Sequence, residues 1–84
     1  MRLVIVYREA SEQRMAVESF MRDFKFQTGG EIETISPDTR EGAAFCRTYD
    51  VVEYPTMLAI ANDGTPAATW RGTLPTIMDA SGYK

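Results

Sequence analysis

Apolar and polar residues follow two different periods along the first half of the chain, and these predict strands and a helix. The run Leu3–Tyr7 is continuously apolar, as in a strand that is covered on both faces of an α/β sheet. From Ser11 to about Phe26 apolar residues recur every three or four positions, which predicts an amphipathic helix. Glu31–Ile35 alternates and predicts a half-exposed strand. The strand–helix–strand order predicts that the two strands are parallel neighbours.

The middle of the chain predicts a second, short helix over Thr39–Tyr49. Asp38 and Glu41 have the spacing of a capping box, with aspartate in place of serine or threonine. Gly42 lies inside this segment and lowers its intrinsic helix stability. We therefore expect a helix that depends on packing rather than on its own propensity.

The last third of the chain predicts a hairpin and a final helix. Thr56–Ala61 is an apolar strand, and Asn62-Asp63-Gly64 is a strong hairpin signal. Ala67–Arg71 then returns as an antiparallel strand at the sheet edge. Leu74–Ala80 predicts a short helix, and residues 81–84 are expected to fray.

Composition narrows the classes of function. The 84 residues predict one domain, 1–84, with a formal charge of −3 and no cluster of Lys or Arg of the kind that nucleic acids require. Histidine is absent and there is one cysteine, so neither a metal site nor a paired-thiol motif is expected. The apolar runs are too short for a membrane span. We expect a cytoplasmic protein that needs no cofactor.

The residues before the third predicted strand carry a resemblance to a known family. Cys46, Tyr49, Val51, Tyr54-Pro55-Thr56 and Gly64 match thioredoxins in type and spacing. The resemblance implies a thioredoxin-like three-layer α/β/α sandwich of order β-α-β-α-β-β-α. Its four-stranded mixed sheet has the order 2-1-3-4, with strand 4 antiparallel. It also implies that Pro55 is a cis proline facing the site where thioredoxins act.

The chain departs from thioredoxins where their chemistry lies. Ser11 and Arg14 occupy the two positions of the Cys-x-x-Cys motif, and Ile5 replaces a buried acidic residue. Disulfide exchange needs a thiolate of low pKa and a second thiol close by. Ser11 has no histidine to activate it and is expected to cap the helix instead. We therefore expect no thiol–disulfide oxidoreductase activity and no catalytic residue.

A binding role remains open, because the resemblance implies a groove beside the proline. Main-chain groups there could pair with an extended peptide, although packing alone also explains the proline. The expected partner is a protein, a peptide or a second copy, the last through the edge strand Ala67–Arg71. The residues expected to line the groove are Tyr7, Ala10, Ser11, Arg14, Tyr54, Pro55 and Thr56.

Cys46 supports an alternative function. As the only thiol it is expected to be a buried, small apolar residue, but it could also be reactive or form a dimer. The alternative is therefore a single-thiol or glutathione-linked redox enzyme on the same fold. Such an enzyme needs an exposed thiol with a lowered pKa.

Overall fold

The computed structural model describes residues 1–83 and confirms the predicted order of strands and helices. The strands are β1 (Arg2–Val6), β2 (Glu33–Ile35), β3 (Thr56–Ile60) and β4 (Pro66–Trp70). The helices are α1 (Arg14–Thr28), α2 (Arg40–Tyr49) and α3 (Ile77–Ser81). None of these helices combines the length and the apolarity that crossing a bilayer requires.

The four strands form one sheet in the predicted order β2-β1-β3-β4. As expected for a strand–helix–strand unit, β1 and β2 are parallel. β3 runs antiparallel to β1, with Val6 opposite Thr56, and β4 runs antiparallel to β3. A register shift between Ala59 and Ile60 interrupts the β3–β4 pairing.

Each face of the sheet carries its own apolar cluster, and helices cover both. Leu3, Ile5 and Tyr7 of the first strand region pack with residues of α1 and α3. Val4 and Val6 point to the other face and pack against residues of α2. This gives three layers and explains why β1 is apolar at successive positions rather than at alternate ones.

The start of α1 differs from the prediction. The helix begins at Arg14 and not at Ser11, and its N-cap is Gln13, whose side chain makes no capping hydrogen bond. Ser11 lies in the preceding turn, where its hydroxyl donates to the Arg8 carbonyl. The predicted Ser11 cap is therefore wrong, because the serine hydroxyl closes the turn instead. At the other end Gly29 caps the helix in the left-handed conformation, with a φ of 73°.

The cap of α2 is Thr39 and not the predicted Asp38. The Thr39 hydroxyl accepts a hydrogen bond from the Gly42 N–H at 2.9 Å. Asp38 instead pairs with Arg8, at 3.1 Å between Oδ2 and Nε. The helix ends at Asp50, which has a positive φ of 55°, a conformation that aspartate tolerates better than most residues.

In the C-terminal segment the helix is shorter than predicted, and the residues that follow it are better packed. α3 begins at Ile77, three residues after the predicted start, because the Thr76 hydroxyl caps it by accepting from the Asp79 N–H. Tyr83 is not frayed: its ring packs edge-on against Trp70, with ring centroids 5.6 Å apart. Lys84, also predicted to fray, lies outside the described residues.

Gly42 is required by packing and not merely tolerated in α2. It is buried, and a Cβ added to it would overlap the Ser36 carbonyl oxygen and crowd the Thr39 hydroxyl. Both of those atoms belong to the tight turn that starts the helix. Only the absence of a side chain lets α2 approach this turn so closely.

We expect Gly42→Ala to lower the free energy of unfolding by about 2 kcal/mol or more, because backbone atoms cannot move aside cheaply. Urea denaturation measures this change. Gly82→Ala is the control, since an added Cβ there meets its nearest atom at an ordinary 3.5 Å. Equal stability of the two variants would contradict the packing requirement.

Thr56 is the buried polar residue that ties the entry of β3 to two other segments. Its side chain is fully buried. Its hydroxyl donates to the Glu53 carbonyl at 2.6 Å and accepts from the Gly72 N–H at 3.4 Å. A buried hydroxyl of this kind is stabilising only while its partners remain paired.

We expect Thr56→Val, which keeps the shape but removes the hydroxyl, to destabilise the domain by about 1–3 kcal/mol. The reason is that the Glu53 carbonyl loses its only side-chain partner among the described residues. Thermal and urea unfolding report the loss. Thr48→Val on the exposed side of α2 is the control, with an expected change within about 0.5 kcal/mol. Equal effects would show that the buried hydroxyl has no special role.

Candidate functional site

The loop before β3 lies beside the turn that joins β1 to α1. The register of the two central strands places Thr56 opposite Val6, so the residues before Thr56 adjoin the residues after Val6. The Tyr54–Pro55 peptide bond is cis. We refer to Tyr54, Pro55 and the β1–α1 turn, residues 7–13, as the junction.

Gln13 holds the main chain of Tyr54. Its Nε2 donates to the Tyr54 carbonyl at 2.9 Å, across 41 residues of sequence. Ser11 supports the Gln13 side chain, since the Ser11 hydroxyl lies 3.4 Å from Gln13 Oε1 and accepts from the Gln13 N–H at 3.3 Å. Sequence reasoning missed Gln13, and no local pattern marks it as a partner of Tyr54.

Arg8 holds the side chain of the same tyrosine. Its guanidinium lies over the Tyr54 ring, 4.9 Å from the centroid, in a cation–π contact. The same guanidinium pairs with Asp38 just before α2. Both groups of that pair are about half exposed, so their contribution to stability is small, but they fix where the guanidinium lies.

The Tyr54 side chain shares an apolar cluster with Cys46. Both residues pack against this cluster on the α2 face of the sheet. Burial is the main cause that raises the pKa of Tyr54, and the neighbouring Cys46 raises it further while Arg8 opposes this. The tyrosine is therefore neutral at physiological pH.

Two of the predicted groove residues do not line a groove. Tyr7 is 5% exposed and lies in the core on the α1 face, opposite the face that Tyr54 covers. Its burial, followed by the charge of Glu9, raises the pKa of its hydroxyl. Thr56 is fully buried and satisfied internally. The prediction that these two side chains face a shared surface with Tyr54 is wrong, because both point into the fold.

The remaining predicted residues are neighbours in sequence of Gln13 or Tyr54. Ala10 is exposed in the turn, Pro55 is half-buried, and Ser11 is half-buried with its hydroxyl used locally. Arg14 is exposed and pairs with Glu18 one turn along α1, at 2.9 Å. Ala10, Pro55 and Arg14 take no part in holding Tyr54, and Ser11 contributes through the hydrogen bond that it accepts from the Gln13 N–H.

Two depressions in the surface of the domain lie away from the junction. Gly30 and Glu31 line both of them, and one extends to Met1 and Leu3 at the start of β1. That is the end of the sheet opposite to the junction, since β1 runs from Arg2 to Val6. Within residues 1–83 no three side chains of the metal-binding types come together.

Comparison with known proteins supports the architecture. No protein-family model matches the chain, and no curated protein sequence matches it either. Among solved structures, thioredoxin 1 from the thermophilic eubacterium Thermosipho africanus TCF52B superposes with a TM-score of 0.70 at 12% identity, covering 99% of this chain and 89% of that one. A structure of a malarial protein superposes with a TM-score of 0.67 at 15% identity, covering 96% and 89%. The chain therefore has a thioredoxin-like fold.

Proposed function

We propose that this chain is a non-catalytic thioredoxin-like domain that binds an extended segment of a protein or peptide at the junction. The observation that carries the proposal is the hydrogen bonding of the Tyr54 main chain. None of residues 1–83 accepts a hydrogen bond from the Tyr54 N–H, and its carbonyl is paired only with a side chain. An extended partner can pair with main-chain groups in this condition.

The residues at the tip of α1 support a binding role over a catalytic one. Ser11 donates its hydroxyl to the Arg8 carbonyl, which is a structural use, and the chain has no histidine that could activate it. Arg14, at the second position of the thioredoxin motif, forms an ordinary surface ion pair. The only thiol, Cys46, lies instead on α2 and is half-buried against apolar side chains.

A second copy of the chain is the alternative partner, through β4. This strand lies at the sheet edge, and none of its five residues, Pro66–Trp70, is charged. Unprotected edges of this kind pair with other strands. Pro66 and the irregular pairing opposite Ile60 interrupt the edge, and the Arg71 side chain turns back to the Asp50 carbonyl. These features favour the junction over β4.

We expect selection from a phage-displayed library of random decapeptides to yield peptides that bind the domain with micromolar affinity. Amide NMR shifts on titration with a synthetic copy of the best peptide should be largest at Gln13 and Tyr54, because the partner pairs with the Tyr54 main chain.

Phe26→Ala is the control for that experiment. Phe26 is 90% exposed on α1 and could attract peptides non-specifically. It lies about 20 Å along the helix from Gln13 at 1.5 Å per residue, so its loss should leave the affinity unchanged. Failure to select any peptide, or shifts confined to β4 or to Phe26, would contradict the proposal. Light scattering of the free domain separates self-association from peptide binding.

We expect no reduction of insulin disulfides above the rate of Cys46→Ser, a variant without any thiol. We also expect Cys46 to react with a thiol reagent much more slowly in the native protein than in urea, because its side chain packs against an apolar cluster. Rapid native labelling, together with glutathione-dependent shifts around Ser11, Tyr54 and Thr56, would favour the single-thiol enzyme instead.

A further inference from the structure

The Gln13 side chain is held through the nitrogen of its carboxamide, since Nε2 donates to the Tyr54 carbonyl at 2.9 Å. That carbonyl is an acceptor, so it selects the nitrogen end of the carboxamide; the Ser11 hydroxyl, 3.4 Å from Oε1, gives its proton to the Arg8 carbonyl. Gln13 is half-buried in this position. The free domain therefore presents the Tyr54 carbonyl already paired to one of its own donors.

An incoming N–H would compete with this contact. A strand-like partner donates to a carbonyl roughly along its C=O direction and at the distance that Gln13 Nε2 now occupies. The oxygen has a second lone pair, but a donor that takes the position of Nε2 displaces the carboxamide. Pairing with the Tyr54 N–H displaces no group, because no described residue accepts a hydrogen bond from it.

We infer that the Gln13 side chain is an autoinhibitory contact, which competes with an extended partner for the Tyr54 carbonyl and is displaced when that partner pairs with Tyr54. The inference rests on the proposed function and goes beyond it by naming the residue that regulates the same site. Binding of the partner exchanges one neutral hydrogen bond to the Tyr54 carbonyl for another, so release of Gln13 and binding of the partner are coupled.

Two observations indicate that Gln13 can leave without loss of structure. α1 does not use the Gln13 side chain, because the N-cap makes no side-chain hydrogen bond to the helix. Arg8 separately holds the Tyr54 ring at 4.9 Å and does not depend on Gln13. The loop keeps this anchor when the carboxamide moves away.

The size of the effect follows from the net strength of such a bond. A neutral hydrogen bond contributes modestly after exchange with water, which corresponds to a closed form about four times more populated than the open one. The apparent affinity of a partner is reduced by the fraction of open molecules. Removing the contact should therefore tighten binding by about fivefold.

The test compares the wild type with Gln13→Ala and Gln13→Glu. Alanine removes the donor, and glutamate keeps the size but at neutral pH has no N–H to offer. Gln27→Ala is the matched control, since Gln27 is an exposed glutamine on the same helix. The probe is the synthetic decapeptide selected on the wild-type domain, and its Kd is measured for each variant by fluorescence anisotropy. Melting temperatures confirm that each variant is folded.

We expect both Gln13 variants to bind about fivefold more tightly, and Gln27→Ala to bind as the wild type does. We also expect the side-chain amide resonances of Gln13, but not those of Gln27, to move on saturation of the wild type. Equal affinities with shifts still centred on Tyr54 would overturn the inference and leave the proposed function standing. Weaker binding by the Gln13 variants would show that Gln13 contacts the partner. Absence of binding by any variant would remove both proposals.

Discussion

Complete burial of β3 is the constraint on which the rest of the structure depends. The strand has a neighbour on each side and helices over both faces, and all five of its residues are buried. Such a strand must be apolar and fully paired, so polar residues are displaced to its two ends. Thr56 stands at the entry with its hydroxyl satisfied, and Pro55 precedes it where no ladder hydrogen bond is needed.

This constraint explains why the junction is built as it is. Tyr54 lies just outside the ladder, and so its carbonyl and ring have to be stabilised by other elements. The β1–β3 register brings the β1–α1 turn alongside, and that turn supplies both partners: Gln13 for the carbonyl and Arg8 for the ring. One short turn therefore positions the main chain and the side chain of the same residue.

Local patterns predicted the fold because periodicity and turn chemistry are local. The apolar run of β1, the hairpin signal at Asn62-Asp63-Gly64 and the glycine after α1 each depend on a few adjacent residues. The contacts of the junction could not be found in this way. Gln13 and Tyr54 are 41 residues apart, and Arg8 and Asp38 are 30 apart, so only the assembled sheet brings them together.

The placement of Tyr7 had a physical signal in the sequence that could have corrected it, whereas the packing role of Gly42 had none. Side chains alternate along a strand, so Tyr7 must share a face with Leu3 and Ile5, and that face packs against α1. Gly42 was read as a weakness of α2 from its helix propensity. Gly42 is required because α2 closely approaches the Ser36 carbonyl, and helix propensity contains no information about such a contact.

The chemical character of the junction follows from the residue types that now build it. A carboxamide has no proton that titrates near neutral pH, and a guanidinium keeps its charge at any physiological pH. Burial raises the pKa of Tyr54 further from neutrality, so the phenol does not supply a base either. Gln13 and Arg8, which hold Tyr54, can donate and release hydrogen bonds but do not exchange protons at pH 7. A site of that composition can exchange one hydrogen-bond partner of the Tyr54 carbonyl for another, which is what the proposed binding role requires.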